Sequence, residues 1–380
     1  MGAHAYPIKK AIITFPVIAL ALLIPFLIFQ YRKYGYINKL RSVILYSLLF
    51  YSIVAFYLVI LPLPKVIDTC SIQRAGTVHY QLQPFTFVQQ VFLETNFSWS
   101  NPATYLGLLK ERAFLQAAFN SILLLPLGVY LRYYFGRGFM QTVFITFLAS
   151  LFFEVTQATA LYGTYTCPYR LFDVDDLLLN TFGGAVGYWI APVFTYFLPE
   201  ANQLDAKVNL ATKPVGYVRR LISFWIDWVF VGVITLFIEA MFFVESMTII
   251  GNSSAMIALS VAIFLYFIVL PTRTEGYTFG KWLLRARIQG KNGNITFKEL
   301  LIRYGLLYYG VGGVNYVLSS GILSNTGDNL IKIVLTLVFV LGLGLFVLHV
   351  FLHLFKRDKR LFYEKISGTY QVIAEKKSEE

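Results

Sequence analysis

Residues 154–187 read EVTQATALYGTYTCPYRLFDVDDLLLNTFGGAVG, and they join the end of one long apolar stretch to the start of the next. Glu154, Gln157, Arg170, Asp173, Asp175, Asp176 and Asn180 gather in this segment, and Gly183, Gly184 and Gly187 follow. Ionisable groups beside lipid are costly, so such a cluster marks a site unless neighbouring charge satisfies it.

The chain around it is 380 residues long, 57% hydrophobic and 14% charged, with a mean hydropathy of +0.63. That balance belongs to a polytopic membrane protein rather than a soluble domain. Nine stretches approach the length of about 20 residues that a spanning helix needs: 11–30, 43–62, 114–131, 139–159, 177–197, 222–243, 254–271, 305–319 and 330–354, the eighth being short. The expected fold is an all-α polytopic membrane helical bundle of about nine transmembrane helices. The first run is longer than the roughly 7–15 residues of a signal-peptide core and no small-x-small site follows, so it is expected to stay in the mature protein.

Lys and Arg accumulate on the cytoplasmic side of membrane proteins. With the N-terminus outside and the C-terminus cytoplasmic, 24 of the 32 basic residues fall in inner segments and seven in outer ones. The net charge of +12 then reads as a skirt for an anionic inner leaflet. No nucleic-acid-binding motif accompanies it, so nucleic acid is not an expected partner. Cys70 and Cys167 fall in the outer loops 63–113 and 160–176, where a disulfide and two free thiols both stay open.

The apolar pattern breaks at 198–218, read as a cytoplasmic linker between a five-helix domain, 1–197, and a four-helix domain with a basic tail, 219–380. In the outer loop, Pro84–Phe85 and the run Phe97, Trp99 and Tyr105 suggest an element at the interface, the depth aromatic residues prefer.

Glu154 lies roughly 8 Å below the outer end of its span at 1.5 Å per residue, and Gln157 shares its face. One reading of the cluster is an ion-pair clasp, with Arg170 neutralising a carboxylate while Asp173 and Asp176 cap the fifth span. The other is a ligand site, in which Asp173 and Asp176 could hold a divalent cation and, through it, a lipid diphosphate. Asn120 sits near the outer end of the third span, within reach of the acidic residues, and Pro126 bends that span. In the second half, Arg220 and Asp227 are seven residues apart on one helix face, so Asp227 can pair with Arg219, Arg220 or a basic residue of 272–304, or it can couple to an ion. Gly276–Lys281 departs from the phosphate-loop spacing, and no strand precedes it. His349 and His353 alone make a poor metal site.

On Glu111–Arg112, Asn120, Pro126–Gly128, Glu154, Gln157, Arg170, Asp173, Asp175–Asp176, Asn180, Gly183–Gly184 and Gly187, the first half resembles the VanZ-like family. Residues 216–373 resemble the RDD family, with Arg220 and Asp227 as its first two signature positions and Thr278, Gly280 and Lys281 in pattern. Glu364 stands where that family has its second aspartate. The first resemblance implies lowered susceptibility to lipid-tailed glycopeptides such as teicoplanin, and the pairing of the two halves suggests the cytoplasmic membrane of a Gram-positive bacterium, with the polar cluster facing the cell wall. The second is linked in some relatives to ion transport. Three functions are therefore expected to compete. The first is an envelope protein engaging a lipid-linked wall precursor or an amphiphilic glycopeptide, or a cation at its head group, at an outward acidic site carried by Glu154, Arg170, Asp173, Asp175 and Asp176, with no cofactor expected other than a divalent cation that the site could hold. The second is a cation or proton transporter using Asp227 and Glu364. The third is a Mg²⁺-dependent enzyme on isoprenyl-phosphate lipids; of the three, the non-enzymatic reading leads.

Overall fold

The computed structural model describes residues 5–94, 107, 111–206, 208–210, 213–242, 252–313, 329–356 and 358–374. Among them, eight helices are long and apolar enough to cross a membrane, and the chain is a multi-pass helical membrane protein. The stretch expected over 305–319 begins as a π-helix, Gly305–Gly313, and the rest of it lies outside the described residues, as do Phe97, Trp99 and Tyr105. The chain forms two compact units, one of Met1–Leu23 with Asn38–Lys207 and one of Ile24–Ile37 with Val208–Glu380.

The first unit contains the start of α1 (Ala5–Tyr34), then α2 (Lys39–Ile60), β1 (Tyr80–Gln81), α3 (Thr86–Glu94), α4 (Arg112–Leu123), α5 (Leu125–Tyr133), α6 (Phe139–Ala158), β2 (Phe172–Asp173) and α7 (Val174–Phe194). Helix α7 is packed by α4, α5 and α6, and its glycines set how close they come. A Cβ on Gly183 would strike the Ser121 carbonyl, one on Gly187 the Leu125 carbonyl and one on Gly184 the Thr146 side chain. Small residues permit this backbone-to-backbone approach where lipid supplies no hydrophobic drive to hold helices together. Pro126 lies in the first turn of α5, where its missing N–H breaks the hydrogen-bond ladder from α4. A carbonyl beside the break, that of Leu123, accepts the Tyr51 hydroxyl at 2.8 Å. Ala55, Leu124 and Phe153 form the apolar core at this level.

Beyond the helices, the loop after α2 is fastened to the loop before α7. Cys70 and Cys167 are disulfide-bonded, Thr69 donates to the Cys167 carbonyl at 2.6 Å, and Gln73 donates to that of Pro168 at 2.7 Å. Strands β1 and β2 pair in parallel, Tyr80 opposite Phe172 and Gln81 opposite Asp173. Between α6 and this loop, Ala160, Leu161 and Tyr162 have φ of 51°, 54° and 55°, left-handed conformations that cost L-residues about 1–2 kcal/mol each. The contact between the Tyr162 and Thr156 hydroxyls, 3.0 Å, helps hold the turn.

The second unit contains α8 (Tyr217–Phe242), α9 (Asn252–Phe264) extended by a π-helical turn and a short helix to Arg273, α10 (Phe279–Leu283), β3 (Ala286–Gln289), α11 (Phe297–Tyr304), α12 (Asn329–Leu354), α13 (Phe362–Ile366) and β4 (Tyr370–Ile373). Strand β4 runs antiparallel to β3 with Tyr370 opposite Gln289. Residues 24–37 belong to this unit through Arg219, which donates to the Gly35 carbonyl and stacks 4.3 Å over the Tyr31 ring.

A methyl group at Gly183 has no room, whereas one at Gly342 meets nothing within 4 Å. Gly183→Ala is expected to destabilise the detergent-solubilised protein by about 1–3 kcal/mol, the usual cost of overpacking. Gly342→Ala should leave the thermal midpoint in place, and equal midpoints for the two variants would contradict the packing described for α7.

Candidate functional site

The three aspartates at the head of α7 have separate tasks. Asp173 has extended backbone and caps the helix, its side chain accepting the Asp175 amide at 2.9 Å. Burial pushes its carboxyl above the usual carboxylate range. Asp175 is 2% exposed and caps a different helix, accepting the Phe85 amide at 2.6 Å, the Thr86 hydroxyl at 2.6 Å and the Phe87 amide at 2.9 Å at the start of α3. Asp176, expected as a second cap of α7, instead turns inward and accepts a hydrogen bond from Asn120.

Glu154, 2% exposed near the end of α6, accepts the Asp173 amide at 3.0 Å. One turn on, Gln157 donates to the Val59 carbonyl at 3.1 Å. Tyr169 donates to the Ile60 carbonyl at 2.9 Å, and Arg170 to that of Leu61 at 2.6 Å. Those carbonyls are the unpaired end of α2, where the helix dipole is negative and a cation is stabilised. Asn180 donates to Ser150 at 3.0 Å, and its buried carbonyl oxygen has no partner among the described residues.

These side chains meet at a cavity of about 310 Å³. Glu154, Gln157, Arg170, Asp176, Asn120 and Asn180 supply its polar lining, and Val54, Leu58, Phe119, Ile122 and Pro126 belong to its apolar wall. The ion-pair clasp is not what forms. Among the described residues Arg170 makes no salt bridge, because its guanidinium is tied to the end of α2. It still feels both carboxyls: burial lowers its affinity for the proton, and the Tyr169 hydroxyl, Asp176 and Glu154 oppose that. Glu154 Oε1 and Asp176 Oδ2 accept no hydrogen bond from the described protein. The divalent-cation reading of Asp173 and Asp176 meets a geometric obstacle. Asp173 caps the helix backbone while Asp176 lines the cavity, and no group of three His, Cys, Asp or Glu gathers in a metal-holding arrangement among the described residues.

Nothing in the sequence spacing pointed to Tyr51, Val54 and Leu58 of α2 as the cavity's opposite wall, because apolar residues on a membrane helix carry no periodic mark of what they face.

The polar residues of the second unit are arranged differently. Asp227 is fully buried and accepts the Tyr266 hydroxyl, the Thr278 hydroxyl and the Gly280 amide, each at 2.8 Å, and the Lys281 ammonium at 3.0 Å. Its cationic partner is therefore Lys281 and neither arginine of α8. Arg220 reaches Glu364 at 2.8 Å instead. Glu364 also accepts Arg303 at 2.7 Å, the Leu361 amide at 3.0 Å and Gln371 at 3.3 Å. Arg303 carried no signal beyond its charge, since 61 residues separate it from Glu364. Thr278 is the N-cap of α10, so the Gly276–Lys281 segment is a capped turn feeding Lys281 to Asp227. His349 and His353 lie near the end of α12, where His349 accepts the Phe362 amide at 3.2 Å. Both carboxylates thus have donors on each oxygen, leaving no free ligand position for an ion.

Residues 48–195 match the family model described as VanZ/LLP1, and residues 214–368 match that of the RDD family. The chain is a membrane protein joining a VanZ-like region to an RDD region. No curated protein and no solved structure matches it.

Burial alone would raise the Glu364 carboxyl, but Arg303, Arg220 and the Leu361 amide together hold it below its ordinary value. A depressed folded-state value means that its stabilisation is complete above the unfolded value, about 4.3, and is lost as pH falls through the folded one. Glu364→Gln leaves Arg303 buried without its counter-charge, at an expected cost of about 3–5 kcal/mol. Thermal unfolding from pH 7 down to pH 3 should show a steeper acid limb in the wild type than in this variant, which keeps only the share of other depressed carboxylates such as Asp358, and parallel curves would contradict the assignment.

Proposed function

We propose that this VanZ-like and RDD-containing membrane protein binds an amphiphile in the cavity of its first unit. The polar end of the ligand lies among Glu154, Arg170, Asp176 and the amides, and its tail lies along the wall formed by α2 and α4. One observation carries this reading: six polar side chains, one of them a guanidinium with no carboxylate partner among the described residues, share a 310 Å³ space with an apolar wall. Ligand sites combine a mostly apolar lining with a few placed polar groups, and volumes of about 300 Å³ upward suit small ligands.

The proposed setting is a bacterial cytoplasmic membrane with the cavity's polar end toward the cell wall. The Cys70–Cys167 bond, three residues from Arg170, supports that orientation because disulfides persist on the oxidising side. The distribution of Lys and Arg supports it independently, with an anionic inner leaflet facing the basic segments. The ligand class is a lipid-linked wall component or a lipid-tailed glycopeptide of the teicoplanin type, and its capture lowers susceptibility to the drug. The RDD unit is a structural partner in this reading, because Asp227 and Glu364 are saturated and offer nothing to a transported ion.

In a susceptible Gram-positive host, expression of the protein should raise the inhibitory concentration of teicoplanin. Arg170→Ala and Glu154→Ala, each matched to the wild type for membrane level and thermal midpoint, should return it to the empty-vector value. Unchanged protection by both variants would overturn the proposal.

A further inference from the structure

The charge pattern of the cavity narrows the ligand's head group. Arg170 is fixed at the C-terminal end of α2, while Glu154 and Asp176 project from α6 and α7. Electrostatic coupling links the guanidinium to both carboxyls, yet no ion pair closes between them. A guanidinium and two carboxyl groups are thus displayed side by side, each with unused hydrogen-bonding capacity. A simple anion entering the site would satisfy Arg170 and bring no donor to the open oxygens of Glu154 and Asp176. A simple cation would satisfy the carboxylates and meet a guanidinium. In surroundings as apolar as these, either mismatch is expensive, because an unpaired charge away from water retains its full desolvation penalty.

A further polar group asks for a donor. The Asn180 side chain is 3% exposed, lines the cavity and has a carbonyl oxygen with no partner among the described residues. It lies one helical turn from Asp176 on α7, so an N–H-bearing group placed beside Asp176 can reach it as well. The negative side of the site therefore presents two carboxyls and an amide oxygen, all acceptors, which is the pattern an ammonium with its three donors fulfils.

We infer that the cavity selects an amphiphile with a zwitterionic head group, its phosphate or carboxylate on Arg170 and its ammonium, a few bonds away, between Glu154 and Asp176. This rests on the amphiphile-binding reading above and adds the head-group class to it. Two sources carry the chemistry: a phosphate–ammonium head, as in phosphatidylethanolamine, and a carboxylate–ammonium head, as in an O-acylated amino acid.

Binding to the purified full-length protein in detergent can be measured for dioleoyl phosphatidylethanolamine and for O-palmitoylserine, each against its N-acetyl derivative. At least one free amine is expected to bind tenfold or more tightly than its acetylated form, and whichever does identifies the anion. Glu154→Gln and Asp176→Asn, which keep the shape of the side chains, should cut that ratio to below threefold while tail-driven binding persists. Equal affinity of free and acetylated forms for the wild type overturns the zwitterion inference and leaves amphiphile binding intact. Failure of all four probes to saturate the protein overturns the underlying reading instead. The wild-type comparison needs no variant, so a folding defect in either substitution does not spare the inference.

Discussion

At the C-terminus of α2 the carbonyls of Val59, Ile60 and Leu61 run out of helical partners just before Pro62, and three side chains from another part of the chain take them up. Gln157 comes from the end of α6, and Tyr169 and Arg170 come from the disulfide-fastened loop. This exchange decides the character of the site. Arg170 donates to a helix terminus and forms no ion pair with Glu154 or Asp176, so the guanidinium and the two carboxyls border an open space. The loop that presents Arg170 is in turn held by the Thr69–Cys167 bonds and the short β1–β2 pairing, so the geometry is built from covalent, backbone and side-chain constraints acting together.

The two units treat buried charge in opposite ways. In the second, Asp227 and Glu364 are surrounded by donors until each oxygen is occupied, which makes them fixed points joining α8, α10, α11 and α13. In the first, Glu154 and Asp176 each keep an oxygen unused at a cavity edge. Buried polar networks that are complete rigidify a fold, and incomplete ones in a folded membrane protein point to a missing partner. The contrast is what motivates the proposal that the first unit binds a ligand while the second is held together by its charges.

Much of the helical architecture was legible in the sequence, because long apolar runs in a chain this poor in charge have little choice but to span. The cluster around 154–187 was legible for the complementary reason, that so many ionisable groups beside lipid demand partners. Which partners they found was not. Asp175 serves α3 across ninety residues and Asp176 takes Asn120, and no local spacing distinguishes adjacent aspartates with such different duties. The glycines of α7 announced close packing, but their contacts with the Ser121 and Leu125 carbonyls depend on the break at Pro126, which shifts what α4 and α5 present. Likewise, the apolar run through 11–30 is continuous, so nothing in it separates residues 24–37, which pack with the second unit through Tyr31 and Gly35.

The central claim is that Arg170 and the carboxyls of Glu154 and Asp176 border an occupied or occupiable cavity instead of neutralising one another. A cryo-EM map of the protein in lipid nanodiscs, at a resolution that separates side chains, tests it directly. The account predicts Arg170 on the Leu61 carbonyl, with ligand or lipid density running from the guanidinium along the wall of Val54, Leu58 and Ile122. A collapsed cavity with Arg170 bonded to Glu154 or Asp176 would contradict it.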